Sequence, residues 1–261
     1  MCVIRLKTER EIEIIKQNSL ILGKTLAEVA KLMYPGVKSQ TVDRVAEEFI
    51  LDNGATPSFK GYRGFPNALC ISVNDVVVHG IPGQYEFKEG DIVAVDCGVK
   101  KNGFHADYAY TFWIGNVNEA VKNLCRRTKE SLYLGIEKAK EGNRTGDISF
   151  EIQSYVEKHG YSVVRDMIGH GIGRNVHEKP DVPNYGNKGN GARIKKGMVL
   201  CIEPMINMGR KEIRTDKDGW TARTVDGFPS AHYEHMVAIR ERGTEVLSTY
   251  KFVEEVLKYT I

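Results

Sequence analysis

The stretch KEGDIVAVD at 88–96 aligns without gaps on KKGMVLCIE at 195–203, and each string runs from a Lys-x-Gly turn through an apolar run to a carboxylate. A match that closes on an acid in both places makes the chain read as two copies of one plan. From Thr8 to Met33 the residues Ile12, Ile15, Leu22, Leu26, Val29 and Met33 recur at helical spacing, with Thr8 and Glu11 in a capping-box pattern and Pro35-Gly36 as the stop. A second helix over 41–52 buries Val42, Val45, Phe49 and Ile50 and stops at Asn53-Gly54; the β-branched runs LCISV, VVVH and DIVAVDCGV follow. After Gly115 the order returns: helices over 118–140 and 145–158, then YSVV, GMVLCIEPM and EHMVAIRE. A His-Gly-Ile precedes the carboxylate strand in both halves, at 79–81 and 170–172, and strengthens the case for duplication. The expected fold is α+β with pseudo-twofold symmetry, central strands and helices covering one side, in a single domain over 1–261 because no Pro/Gly/Ser linker divides it.

Composition removes several functions. The 37 basic and 34 acidic side chains nearly cancel to a net charge of +3, and Lys and Arg never gather in a long run, so DNA is not an expected partner. MCVIRLKTEREIEIIK is charged from its fifth residue and no apolar stretch approaches ~18 residues, which points to a cytoplasmic protein without membrane contact. The 5 cysteines (Cys2, Cys70, Cys97, Cys125, Cys201) are odd in number and form no CxxC pair, as expected for reduced core thiols.

The acids carry the chemistry. Asp96 closes the run IVAVD, and Asp107 follows beyond the turn-like KKNG in FHADYAYTF. A hairpin turn at Lys101-Asn102 makes the two aspartates direct partners, and a turn at Asn102-Gly103 makes them diagonal neighbours on one face. Either way two carboxylates meet, and burial side by side requires shared protons, cations or a metal. Glu203 ends the duplicated strand and Glu234 lies in HYEHMVAI; with His170 they make four carboxylates and one imidazole, enough for two metal ions with open positions. His170 and His177 sit in GHGIGRNVHEKP, which lacks both the GxGxxG spacing of a nucleotide loop and the second His of HExxH. Its glycines are expected to let a rigid loop turn tightly beside a ligand and project both histidines.

Along its whole length the chain resembles type I methionine aminopeptidase, through GYRGFPNALCISVNDVVVHGIP, DCGVKKNGFHADYAYTF, GHGIGRNVHEKP, LCIEPM and AHYEHMVAI. The resemblance implies the pita-bread fold and a cytoplasmic enzyme that removes the initiator methionine from nascent chains when the second residue is small. It implies Asp96, Asp107, His170, Glu203 and Glu234 as ligands of two divalent ions (Mn, Fe(II), Co or Zn), with a metal-activated water attacking the scissile carbonyl and Glu203 moving the proton. His79 and His177 become non-ligand catalytic and substrate-binding histidines. Asn74, Val76 and Ser230 become a monovalent-cation (Na or K) site. Phe59, Tyr62, Phe65, Cys70, Val176 and Trp220 become the methionine pocket, in which Val176 is smaller than the residue many bacterial relatives carry. Proline-specific peptidases and creatinase share such a site, and ligand-free relatives that only bind partners form a third class. Two further expectations follow: transient ribosome contact through GRKEIRTDK (209–217) by a monomeric enzyme, and self-processing of Met1 that leaves Cys2 first.

Overall fold

In the computed structural model, which describes residues 4–257, the Glu11 amide donates to the Thr8 hydroxyl and the Thr8 amide donates back to the Glu11 carboxylate. This capping box opens helix α1 (Glu9–Ala30), whose Ile12, Ile15, Leu22, Leu26 and Val29 are fully buried. Helices α2 (Ser39–Asp52), α3 (Glu119–Lys138, capped by Asn118) and α4 (Thr145–Lys158) follow the expected order. A short α5 (Lys251–Leu257) was not anticipated. All five contribute to one apolar cluster that runs from Ile12 to Val253. The expectations for Met1 and Cys2 lie outside the described residues; the four described cysteines are buried free thiols. Among the described residues no helix is long and apolar enough to cross a membrane.

Strands Ile92–Lys101 and Phe104–Trp113 form the long central hairpin, with Lys101 opposite Phe104. The turn therefore falls at Asn102-Gly103, whose φ angles of 54° and 80° suit a two-residue hairpin loop. Asp96 faces Ala109 and Asp107 faces Gly98, so the aspartates are diagonal neighbours, the second of the two expected registers. Asp96 is mid-strand rather than terminal, because the pairing runs on to Lys101.

The second half differs in continuity. Strand Val199–Ile202 stops before Glu203-Pro204, where proline has no amide to donate, and resumes as Met205–Asn207. The late run expected as one strand is also broken: Glu234 lies between Ser230–His232 and His235–Arg240. Every strand pair among the described residues is antiparallel.

Duplication is visible in the hydrogen bonds. Gly90 donates to Ile114 O and Gly197 to Ile239 O, both at 2.8 Å, while the Ile114 and Ile239 amides return to Asp91 O and Met198 O, both at 2.9 Å. The His-Gly-Ile coincidence does not belong to this symmetry. Strand Leu69–Val73 pairs with the first carboxylate strand as Gly169–Gly171 pairs with the second, with Ser72 opposite Ala94 and His170 opposite Cys201. Ala94 and Cys201 hold the same place in the two matching strings, so the counterpart of His170 is Ser72, not His79. The halves join where the Glu234 amide donates to Ala109 O (3.1 Å) and the Thr111 hydroxyl donates to His232 O (2.6 Å).

Candidate metal centre and substrate cavity

His170 sits on a strand, Gly169–Gly171, rather than on the loop expected from its glycines. Those glycines serve close approach of backbone: a Cβ on Gly169 would lie 2.4 Å from Cys201 O, and one on Gly171 2.5 Å from Lys179 O. The His170 Nδ1–H donates to Gly171 O at 2.9 Å, which fixes the tautomer and leaves Nε2 as a lone pair 3.4 Å from Glu203 Oε1. Burial lowers the His170 pKa to about 4, so the ring is neutral and ready to accept a cation.

The four acids converge on this imidazole. Ligand atoms of Asp107, His170, Cys201 and Glu234 lie within 4.8 Å of one another, and so do those of Glu203, His232 and Glu234. Asp107 and Glu234 are buried, and Asp96 and Glu203 nearly so. Asp96 Oδ1, Asp107 Oδ1, Glu203 Oε1 and Glu234 Oε1 have no hydrogen-bond partner. Burial first, and then the neighbouring carboxylates, hold Asp107, Glu203 and Glu234 well above the usual carboxylate range; burial raises Asp96 as well. Four desolvated acids facing each other with orphaned oxygens fit bound cations, and the donors, carboxylate oxygens with a neutral imidazole, suit borderline-hard divalent ions. Burial and the same acids keep the Cys201 thiol protonated.

The acids open into a cavity of about 450 Å³ whose walls include Phe59, Tyr62, Phe65, Cys70 and Trp220. Phe65 meets Trp220 edge-on at 5.2 Å, and Trp220 meets His79 edge-on at 6.2 Å. His177 stands at the mouth, its ring 4.3 Å from His170 and its Nδ1 3.0 Å from the Tyr62 hydroxyl. His79 is held at φ 59°, a conformation that non-glycine residues seldom adopt and that clusters at functional sites. Loss of water lowers the pKa of His79 and, with His170, His79 and Arg63 nearby, that of His177. Both rings are therefore neutral hydrogen-bonding groups.

The sequence model of metallopeptidase family M24 matches residues 13–241. The chain belongs to that family. It is 55% identical to the methionine aminopeptidase of Clostridium perfringens over 95% of this chain and 100% of that one. It is 41% identical to the methionine aminopeptidase of Escherichia coli over 95% of each. The solved methionine aminopeptidase of Thermotoga maritima superposes with a TM-score of 0.93 at 44% identity, covering 95% of this chain and 100% of that one. A prolidase from Pyrococcus furiosus shares the fold, at a TM-score of 0.76 and 24% identity over 94% of this chain and 65% of that one. The architecture is thus the pita-bread fold expected from the sequence.

Within this M24 frame, all five expected ligands and both histidines are brought to one place. Val176, 1% exposed, clusters with the wall residues Phe59, Phe65 and Cys70 and is not itself among the residues that line the cavity. Asn74, Val76 and Ser230 gather away from the acids, where the Ser230 amide donates to Asn74 O at 2.9 Å and Asn74 and Val76 line a separate cavity of about 170 Å³. Three contributors escaped sequence reasoning. Tyr250 packs its ring on His235 at 4.0 Å and sets its hydroxyl 2.9 Å from Ala109 O and 2.8 Å from Glu234 O, bracing Glu234. Lys7 forms a buried ion pair with Glu178 at 2.8 Å, beside His177. His232 lies 3.8 Å from Glu203; its place two residues before Glu234 was the available signal.

Proposed function

We propose that the protein is a metal-dependent methionine aminopeptidase that removes the first residue of nascent chains when the second residue is small. The observation that carries this reading is the union of two features in one cavity: orphaned buried carboxylates around a neutral imidazole, and an aromatic and thiol wall beside them. Asp96, Asp107, His170, Glu203 and Glu234 would hold two divalent ions, of which Mn, Fe(II), Co and Zn suit the donors. When bound, such ions supply Lewis acidity, polarising the scissile carbonyl and lowering the pKa of a bound water.

The chain's own residues do the rest. Phe59, Tyr62, Phe65, Cys70 and Trp220 take the methionine thioether, which aromatic edges favour. The free α-amine of the substrate would lie on the Asp96 side of the centre. Glu203, close to both halves of the site, accepts the proton released as water attacks and passes it to the leaving amine. His79 and His177, neutral at pH 7, hydrogen-bond the scissile amide and the oxygen that gains charge. Asn74, Val76 and Ser230 are proposed to hold one monovalent cation, and residues 1–261 to form one catalytic domain. The exposed Arg210, Lys211, Arg214 and Lys217 are the surface proposed for transient ribosome contact, although Arg214 already pairs with Asp216 at 2.7 Å.

The test is product analysis of the metal-loaded protein on Met-Ala-Ser, Xaa-Pro dipeptides and creatine. Free methionine from the first substrate alone supports the reading, and cleavage of Xaa-Pro with none of Met-Ala-Ser would replace it with a prolidase-type activity.

A further inference from the structure

His232 has no role in the five-ligand arrangement, yet its placement is that of a donor. Its side chain is 2% exposed, and its Nε2 is buried without a hydrogen-bond partner, an expensive arrangement for a polar atom inside a protein. The backbone around it is fixed twice to the Asp107 strand: the His232 amide donates to the Thr111 hydroxyl at 3.1 Å, and that hydroxyl donates to His232 O at 2.6 Å. The main chain that carries the ring is therefore pinned to that strand.

The separation discriminates between two uses of the ring. Nε2 lies 3.8 Å from Glu203 Oε2, too far for a hydrogen bond to the carboxylate. Two donors that each sit ~2.0–2.2 Å from a shared ion lie ~3–4.3 Å apart, depending on the angle at the ion. The pair falls inside that range, as does His170 Nε2 to Glu203 Oε1 at 3.4 Å. Glu234 completes the set, since ligand atoms of Glu203, His232 and Glu234 are mutually within 4.8 Å.

We propose that His232 is a sixth metal ligand, giving the ion bound by Glu203 and Glu234 a second nitrogen donor beside His170. A second imidazole shifts the site from oxygen-rich towards mixed nitrogen and oxygen, which favours Co²⁺ or Zn²⁺ over Mn²⁺. The inference rests on the carboxylates being a divalent-metal site.

Two measurements test it. Metal-free wild type and His232→Gln are titrated with Co²⁺ and with Mn²⁺ by calorimetry, with Co²⁺ absorption bands recorded. The expected result is Co²⁺ affinity lowered by about tenfold or more with shifted bands, and a smaller loss for Mn²⁺; equal affinities and unchanged bands would overturn the proposal. If His232→Gln does not fold, a crystal of the unmodified protein loaded with Mn²⁺ decides by anomalous scattering. An ion within about 2.3 Å of His232 Nε2 supports the proposal, and an ion among the carboxylates but beyond about 3 Å from it overturns it. No ion among the carboxylates would instead overturn the metal-site reading beneath it.

Discussion

The two halves share a frame and differ in how they carry their acids. In the first, Asp96 and Asp107 project from uninterrupted ten-residue strands. In the second, Glu203 and Glu234 sit at breaks, one before Pro204 and one between Ser230–His232 and His235–Arg240. The Lys-x-Gly turns and their paired backbone bonds are the same in both. A duplicated backbone therefore fixes where acids can meet, while local departures from it decide what meets them: an imidazole at His170 where the first half has Ser72, and a second ring at His232. Longer glutamate side chains at broken strands reach across to the aspartate face, so the centre needs both halves.

Removing the charge on one side should have the largest effect. Glu203→Gln is expected to keep the fold by circular dichroism and lose about 10²–10⁴-fold in kcat, because a neutral amide neither holds a cation as firmly nor takes a proton. Near-normal turnover would show that the second half's acid is dispensable. His79→Ala should lower kcat by about 10²-fold while metal content, read by elemental analysis, stays near wild type. Loss of metal would make His79 a ligand and redraw the division between the halves.

Much of this division was legible in the residues. Thr8 with Glu11 located a helix start because capping is local, and strand parity reduced the Asp96–Asp107 question to two registers because side chains alternate. What was illegible depended on contacts distant in sequence. Tyr250 braces Glu234 from a segment with no motif, and the glycines around His170 look like turn residues until Lys179 and Cys201 are seen pressed against them. The matching His-Gly-Ile strings misled because three residues recur by chance, whereas the nine-residue match carried real hydrogen bonds. Strand position and family resemblance found the four acids and the imidazole, and the resemblance put Val176 in the pocket wall, where it clusters with Phe59, Phe65 and Cys70 without lining the cavity.

Smaller effects sharpen the comparison. Gly171 and Val73 are counterparts by register, opposite Leu200 and Val93, and a Cβ on Gly171 would press to 2.5 Å from Lys179 O, whereas Val73 already packs a side chain against the core. Gly171→Ala should cost about 1–3 kcal/mol in denaturant unfolding, and Val73→Ala, which trims a half-buried side chain, less than about 1 kcal/mol. Equal costs would mean that the halves pack alike here. Least of all should change with Val176→Ala: buried in one cluster with Phe59, Phe65 and Cys70, it supports the wall without lining the cavity, so the preference for Met over Leu at the first position should move by less than about tenfold. A larger shift in kcat/KM would place Val176 in contact with substrate.

The central claim is that acids from both halves build one divalent-metal centre that releases N-terminal methionine. Chelator-stripped protein should release no methionine from Met-Ala-Ser, and adding back Mn²⁺ or Co²⁺ should restore release in step with ion bound at the carboxylates. Full activity in the stripped protein, or ion bound there with no activity restored, would contradict it.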